Sequence, residues 1–446
     1  MTQLKRKIAK ATLDAADDSG PRMRRWEEQR WVIDNIIRTA GIEWDQPRMG
    51  NYASACGPAA AGDIAAIRAR VQKYTDITPA FEAVARRREA AAREAEAENH
   101  GVTARDNYFC AAVFWAASQW TLLNNNNHNH DNNTRKRECF LGYARHADHR
   151  VEAAWIDLPG GKRMPGWLHL PYAYRSGRVP AVVSIPGMDG FKESNVALLG
   201  DRWLSRGIAV LVIDGPGQYE SALHDLYFSV PAWKAAGKAA YEWLARRAEI
   251  DADRIGIIGN SFGSYFATIA AAWEPRFGAV AVSSICFEPG GGTIFDQASP
   301  TFKRRFMYMA GFSDEARFDR FRRGMTLKEH AARIRMPYLC VAGERDELCP
   351  IEWAGRTLDA MRGPKQLVIY QESRHTVGNV PSTVLGPNPQ ALVADWVQDR
   401  LMSKAGKTGN AAKTARTAKT VKSAADKLAS SRWFVEASGT VRKSAY

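Results

Sequence analysis

The pentapeptide Gly259-Asn260-Ser261-Phe262-Gly263 constrains this chain more than any other stretch. It follows the apolar run Arg254-Ile-Gly-Ile-Ile258 and precedes Ser264-Tyr-Phe-Ala-Thr-Ile-Ala-Ala-Ala272, a stretch compatible with a helix. Strand, G-x-S-x-G, helix is the sequence form of a nucleophile elbow, a turn so tight that the residues two places either side of the serine have to be small. The helix that follows aims its amino end, with unpaired N–H groups and partial positive charge, at whatever the serine attacks. Alone the pentapeptide is a weak signal, because glycine and serine are common in turns. An acid and a base have to follow it.

Both do. Met336-Pro-Tyr-Leu-Cys-Val-Ala342 reads as a buried strand, followed by the polar turn Gly343-Glu344-Arg345-Asp346-Glu347-Leu348-Cys349-Pro350. Gln366-Leu-Val-Ile-Tyr370 is a second short strand, leading into Gln371-Glu-Ser-Arg-His375. Of the nine histidines only His330 and His375 lie beyond Ser261, and only His375 lies beyond Asp346. Serine, acid, histidine is the chain order of the α/β-hydrolase triad, with each residue at the carboxyl end of a later strand. A serine hydroxyl is a poor nucleophile until an imidazole takes its proton. That imidazole needs a carboxylate on its other nitrogen to fix the tautomer. Asp346 is the expected acid, with Glu344 of the same loop as its rival.

The 446 residues exceed a minimal catalytic domain, so one such domain with substantial additions is expected. No stretch approaches the ~20 apolar residues of a membrane span. The basic start, Met1-Thr-Gln-Leu-Lys-Arg-Lys-Ile-Ala-Lys10, leads into Asp14, Asp17 and Asp18 rather than an apolar core, unlike a secretory signal. Cys56, Cys110, Cys139, Cys286, Cys340 and Cys349 are scattered without a C-x-x-C pair. They read as reduced thiols of a cytoplasmic protein, not as a disulfide framework or zinc site. The net charge is +14, and residues 403–446 hold ten basic against two acidic residues. More than half of the surplus therefore sits in this tail of Ala, Thr, Ser, Gly and Lys, read as a largely disordered, solubilising appendage. By charge alone it is also the one place where nucleic acid or another polyanion would bind. Ser431-Arg-Trp-Phe-Val-Glu436 is its one apolar patch, with no docking place indicated.

The middle of the chain lays out as a sheet. Arg150–Asp157 and Met164–Leu170 flank Pro159-Gly-Gly161, an antiparallel hairpin signal. Strands follow at Pro180–Ile185, Gly207–Ile213, the elbow strand, Ala279–Ser283 and the two strands that carry Asp346 and His375. Helices lie between them, notably Pro231–Arg247 and Pro387–Met402. The expected fold is α/β: a mostly parallel, eight-stranded, doubly wound sheet with an N-terminal helical domain and a helical lid insertion. The expected division is a flexible N-terminus at 1–25, a helical domain at 26–148, a catalytic domain at 149–402 with its lid at 288–335, and the tail at 403–446. A ligand would bind at the carboxyl ends of the strands.

Two loops at that edge matter. Acyl transfer builds a negative oxygen that needs aligned donors, commonly backbone N–H groups. Phe262, after the nucleophile, supplies one, and the loop Pro186-Gly187-Met188-Asp189-Gly190-Phe191-Lys192-Glu193 supplies the other through Met188. The tight turn Asp214-Gly-Pro-Gly-Gln-Tyr219 reads as structural framing near the pocket.

Those two loops, the elbow and the downstream Trp273-Glu-Pro-Arg276 together resemble one α/β-hydrolase group. It includes 2,6-dihydroxypseudooxynicotine hydrolase, fungal polyketide-shortening hydrolases and fermentation–respiration-switch esterase-like proteins. The resemblance runs over roughly residues 100 to 400 and reaches Thr103-Ala-Arg-Asp-Asn-Tyr-Phe-Cys-Ala-Ala112 in the helical segment. It implies a serine triad of Ser261, Asp346 and His375, no metal or cofactor, and often cleavage of a carbon–carbon bond beside a ketone. The chain departs from the pattern at Asn260, Ser264 and Tyr219, where relatives often show Arg, Gly and Gly.

The first 150 residues look helical, with a charged helix over Ala80–Glu98. Phe109, Phe114, Trp115 and Trp120 have the spacing of a helix packed on a core. Asn124-Asn-Asn-Asn-His-Asn-His-Asp-Asn-Asn133 holds His128, His130 and Asp131, but without a partnering ligand cluster it reads as a polar inter-helix loop. The 288–335 insertion, with Phe302, Phe306, Met307, Met309 and Phe312, reads as a lid. The expected enzyme is a serine hydrolase of a small, aromatic or polyketide-like ketone or ester, with a carboxylesterase or amide or carbamate hydrolase as the alternative. Asp189, Tyr219 and Glu288 are candidate substrate contacts, Glu288 as an extra acid for carbon–carbon cleavage. A homodimer without membrane attachment is expected; a non-catalytic binding protein with a polyanion-binding tail is the reading from another class.

Overall fold

The computed structural model describes residues 20–198, 200–377, 388–403, 432–435 and 441–443. Most of the N-terminal 25 residues and of the basic tail, with the readings attached to them, lie outside the described residues. Apolar, β-branched runs that are buried on both faces form parallel strands, and the catalytic part of the chain is built from them. Its strands are β1 (Val151–Asp157), β2 (Arg163–His169), β3 (Val179–Ile185), β4 (Ala209–Ile213), β5 (Ile250–Ser261), β6 (Val280–Ile285), β7 (Tyr338–Gly343) and β8 (Lys365–Tyr370), followed by β9 (Arg432–Val435) and β10 (Val441–Lys443). All lie in one sheet in the order β1-β2-β4-β3-β5-β6-β7-β8-β9-β10. β1 and β2 form the expected hairpin, with Val151 opposite His169; Gly160 and Gly161 turn it at φ 76 and 72°. From β3 to β9 the neighbouring strands run parallel.

Eight of these strands are those read from the sequence. The other two are not: Arg432–Val435 pairs parallel with β8, and Val441–Lys443 returns antiparallel to it. The apolar patch of the tail thus has a docking place, the edge of the sheet. The order places β3 between β4 and β5, so the chain leaves β3 in one direction and β5 in the other. Such a reversal opens a crevice at the carboxyl ends of the two strands, which is where ligands of open α/β sheets bind. One face of the sheet is covered by Trp203, Val393, Val397 and Leu401, packed on Val182, Val210, Ile258, Leu339 and Val368.

The chain divides into two compact units, the first made of residues 1–146, 222–225 and 300–319 and the second of the remainder. The helical unit contains Arg24–Ala40, Arg48–Cys56, Ala61–Arg70, Ile77–Ala97, Gly101–Ser118 and Asn127–His146. Its core holds Phe114 and Trp115, with the Trp115 indole donating to Glu89 at 3.0 Å. The middle of the 288–335 insertion belongs here: every residue of the helix Pro300–Met309 is buried. Its charges are matched within the unit. Lys303 reaches Glu315 at 2.6 Å and Asp319 at 2.9 Å, and the Arg304 guanidinium lies 4.6 Å from the centre of the Trp26 ring.

The asparagine-rich run is not the loop its composition suggests, because a helix begins at Asn127. Asn126 caps it, accepting the Asn129 N–H at 3.0 Å. The buried amides are then paired: Asn129 Oδ1 accepts from Gln119 at 2.8 Å, and Asn132 donates to Glu82 at 2.8 Å and Ser118 Oγ at 3.0 Å. Weak helix propensity is overridden by a polar network with its donors placed against acceptors.

Candidate active site

Ser261 stands at the end of β5 with φ 55° and ψ −128°, a backbone conformation that side-chain-bearing residues rarely adopt. Holding it costs on the order of 1–3 kcal/mol and is characteristic of functional turns. The surroundings enforce it. A Cβ on Gly259 would fall 2.1 Å from the Gly263 carbonyl oxygen, and one on Gly263 would fall 2.2 Å from the oxygen of Ile185. The helix Phe262–Trp273 starts immediately after the serine, so the Phe262 N–H is among the four that no intrahelical acceptor can satisfy.

Ser261 Oγ lies 2.8 Å from His375 Nε2. On the far side of the ring, His375 Nδ1 is 3.0 and 2.9 Å from the two carboxylate oxygens of Asp346. The structure therefore brings the three sequence-selected residues together, Ser261 as the last residue of β5 and Asp346 and His375 just past the ends of β7 and β8. Asp346, not Glu344, faces the ring; Glu344 instead accepts the Glu372 N–H at 2.9 Å. Asp346 Oδ1 also accepts the N–H groups of Leu348 and Cys349 at 2.8 and 2.9 Å, which fixes the carboxylate. Burial works against a charged imidazole at His375, but the Asp346 charge and hydrogen bond, with Glu347 adding to them, outweigh it and raise its pKa above the ordinary 6.5.

The acid and base loops are zipped together by backbone. Glu344 N–H donates to Tyr370 O at 3.0 Å and Arg345 N–H to Ser373 O at 2.9 Å. A Cβ on Gly343 would meet the carbonyls of Arg374 and Ser373 at 2.3 and 2.4 Å, so only glycine allows this approach. The loop after β3 closes on the nucleophile in the same way. The position of a Cβ on Gly187 is 2.9 Å from Ser261 Cβ and 3.5 Å from its Oγ, which puts the Gly187–Met188 peptide beside the serine.

A likeness to known proteins follows these features. The model of the prolyl oligopeptidase family matches residues 195–402. A 2,6-dihydropseudooxynicotine hydrolase of Paenarthrobacter nicotinovorans is 27% identical over 277 residues, covering 59% of this chain and 71% of the relative. The crystal structure of 2,6-dihydroxy-pseudo-oxynicotine hydrolase superposes with a TM-score of 0.67 at 23% identity, over 81% of this chain and 98% of that one. This chain has the α/β-hydrolase fold. A fungal α/β hydrolase, xenA of Xenoacremonium sinensis, is 28% identical over 205 residues, covering 44% of this chain and about half (48%) of the relative.

In this hydrolase the three candidate substrate contacts are engaged within the protein. The Tyr219 hydroxyl donates to the Asp189 carbonyl at 3.0 Å, and its ring stands edge-on to Phe191. Glu288, at φ 51°, accepts the Leu327 N–H at 2.6 Å. Around the elbow helix, Phe262 lies among Tyr265, Phe266 and Phe295, with ring centres 5.3 to 6.1 Å apart. Among the described residues no group of three or more His, Cys, Asp or Glu side chains stands together as metal ligands do. Nor, among them, is any helix long and apolar enough to cross a membrane. All six cysteines are free.

Sequence reasoning missed three supporting residues. Glu347 accepts the backbone N–H of His375 at 3.0 Å, anchoring the base loop from the acid loop. Ser264 accepts the Cys286 N–H at 2.9 Å, tying the elbow helix to the exit of β6. Lys192 is wholly buried with three carboxylates, at 2.9 Å from Glu193, 2.9 Å from Asp214 and 2.6 Å from Glu220. Burial disfavours its charge, and the three carboxylates more than restore it, so its pKa is raised. The only sequence signal for this cluster was that Lys192 and Asp214 sit in the two glycine-rich loops beside the elbow.

Proposed function

We propose that the chain is a serine hydrolase that cleaves a carbon–carbon bond beside a ketone in a small aromatic or polyketide-like molecule. The observation that carries the serine chemistry is the 2.8 Å contact of Ser261 Oγ with an imidazole held by Asp346 on its other nitrogen. Ser261 Oγ attacks the carbonyl carbon as His375 Nε2 takes its proton. The oxygen gains negative charge and is held by the N–H groups of Phe262 and Met188, donors fixed before the reaction begins. The tetrahedral intermediate collapses, its carbon–carbon bond breaks, and His375 returns the proton to the departing enol or carbanion-like carbon. Water, deprotonated by His375, then attacks the acyl-serine and releases the acid and the free serine.

The choice of bond rests on the likeness to the hydrolase of P. nicotinovorans. Phosphonofluoridate labelling separates enzyme from inert scaffold: an adduct on Ser261 that disappears in Ser261→Ala supports it, and folded protein that never labels refutes it. Parallel assays of a β-diketone and a p-nitrophenyl ester decide the bond. Turnover of the ester alone would make the protein an esterase.

A further inference from the structure

The turn after β4 does more than frame a pocket. Gln218 is completely buried, and its side chain spends both of its ends on backbone. Nε2 donates to the carbonyl of Pro186 at 2.8 Å and to that of Gly187 at 3.2 Å. Oε1 accepts the Gly215 N–H at 2.9 Å. That last contact fixes which way the amide faces, since a flip would set Oε1 against two carbonyl oxygens. Gly190 N–H adds a second donor to the Gly187 carbonyl at 3.2 Å.

A trans peptide points its carbonyl and its following N–H in opposite directions. Gln218 and Gly190 draw the Gly187 carbonyl to one side, so the Met188 N–H of the same peptide is turned to the other. Gly187 is the residue that lies against Ser261. The turn is anchored independently of Gln218: the Lys192 ammonium and Lys192 N–H bind Asp214 at 2.9 and 3.0 Å, and Ser221 Oγ donates to the Asp214 carbonyl. Gln218 thus sits on a rigid base and reaches across to one peptide plane.

We propose that Gln218 is a positioning residue of the hydrolytic site, orienting the Gly187–Met188 peptide so that the Met188 N–H meets the oxyanion. The role requires glutamine. Glutamate would put a carboxylate against two carbonyls, and asparagine is one methylene too short to bridge both sides. The inference rests on the acyl-transfer reading above, which makes the Met188 N–H an oxyanion donor.

The test uses full-length protein with p-nitrophenyl acetate as substrate and an arylboronic acid as a mimic of the tetrahedral adduct. In Gln218→Glu, kcat is expected to fall about 30-fold or more, approaching the loss of one oxyanion donor. KM should stay within about twofold, and the boronic acid should weaken by the same factor as kcat. Gln218→Met, similar in length and without donors, carries the same expectation if the glutamate variant does not fold. Replacing the Met188 N–H by a backbone ester closes a double-mutant cycle: the combined variant should lose no more than the ester alone. Unchanged kcat in a folded variant, or additive losses in the cycle, overturns the role of Gln218. A wild-type protein that neither labels at Ser261 nor turns over the ester overturns the acyl-transfer reading instead.

Discussion

Gly263 stands so close to Ile185 that a methyl group on the glycine would lie 2.2 Å from the isoleucine carbonyl oxygen. The obstacle is backbone of a central strand, which cannot move aside as a side-chain tip can. Gly263→Ala is therefore expected to cost about 3 kcal/mol or more, the range of overpacked cores, and to lower the urea midpoint sharply. Gly62 is the control. It is exposed in the helix Ala61–Arg70 with nothing within 4 Å of a Cβ, so Gly62→Ala should stabilise by about 0.5–1 kcal/mol. Equal midpoints for the two variants would contradict the packing argument.

The pH profile follows from His375. Its pKa lies above the ordinary 6.5, because the Asp346 carboxylate and Glu347 outweigh burial. As a base the ring must be neutral, so kcat/KM should rise with pH through a midpoint above that of a free histidine and then level off. Asp346→Asn removes the charge that raises it, and kcat should fall about 10⁴-fold as the tautomer is lost. The linked stability has the sign of a raised histidine pKa. It is full below the unfolded value and lost as pH rises through the folded one. A profile whose midpoint is unchanged in Asp346→Asn would refute this.

Lys192 tests the buried charge cluster. Lys192→Met leaves Glu193, Asp214 and Glu220 facing one another without a cation, and removing one partner of a buried ion group costs about 3–5 kcal/mol. The loss should shrink at acidic pH, where protonating the carboxylates relieves their repulsion. Equal destabilisation at pH 5 and pH 8, measured by denaturant unfolding, would show that packing and not charge is what Lys192 provides.

The elbow, the triad loops and the strands β1 to β8 were legible because they depend on local pattern: β-branched runs, small residues at the turn, and a chain order that left one histidine available. Asn127–His146 was not. Its helix is held by side-chain contacts with the Gln119 amide and with the Glu82 carboxylate, the latter 50 residues from its partner Asn132, so composition pointed to a loop. Glu347 and Gln218 were hidden for a related reason. Each acts through a backbone group of another loop, and side-chain-to-backbone contacts of that kind leave no periodicity. β9 was obscured by its setting, four residues of strand in a tail whose Lys, Ala and Thr content dominated the reading.

β8 has β9 on its outer side, with Leu367 opposite Arg432 and Tyr370 opposite Val435. Without residues 432–435 the backbone donors and acceptors along that side of β8 would form an open edge, a template for pairing between molecules. A chain ending at Ser403 is expected to keep the fold and the ester activity but to aggregate as its concentration rises, read by light scattering. Truncation also removes ten basic residues, and lost charge alone lowers solubility. Phe434→Pro separates the two causes. It keeps every charge and deletes one N–H from the middle of the strand, where proline breaks a ladder. If pairing is what matters, Phe434→Pro aggregates as the truncation does. If charge is what matters, it stays monodisperse while the truncation does not.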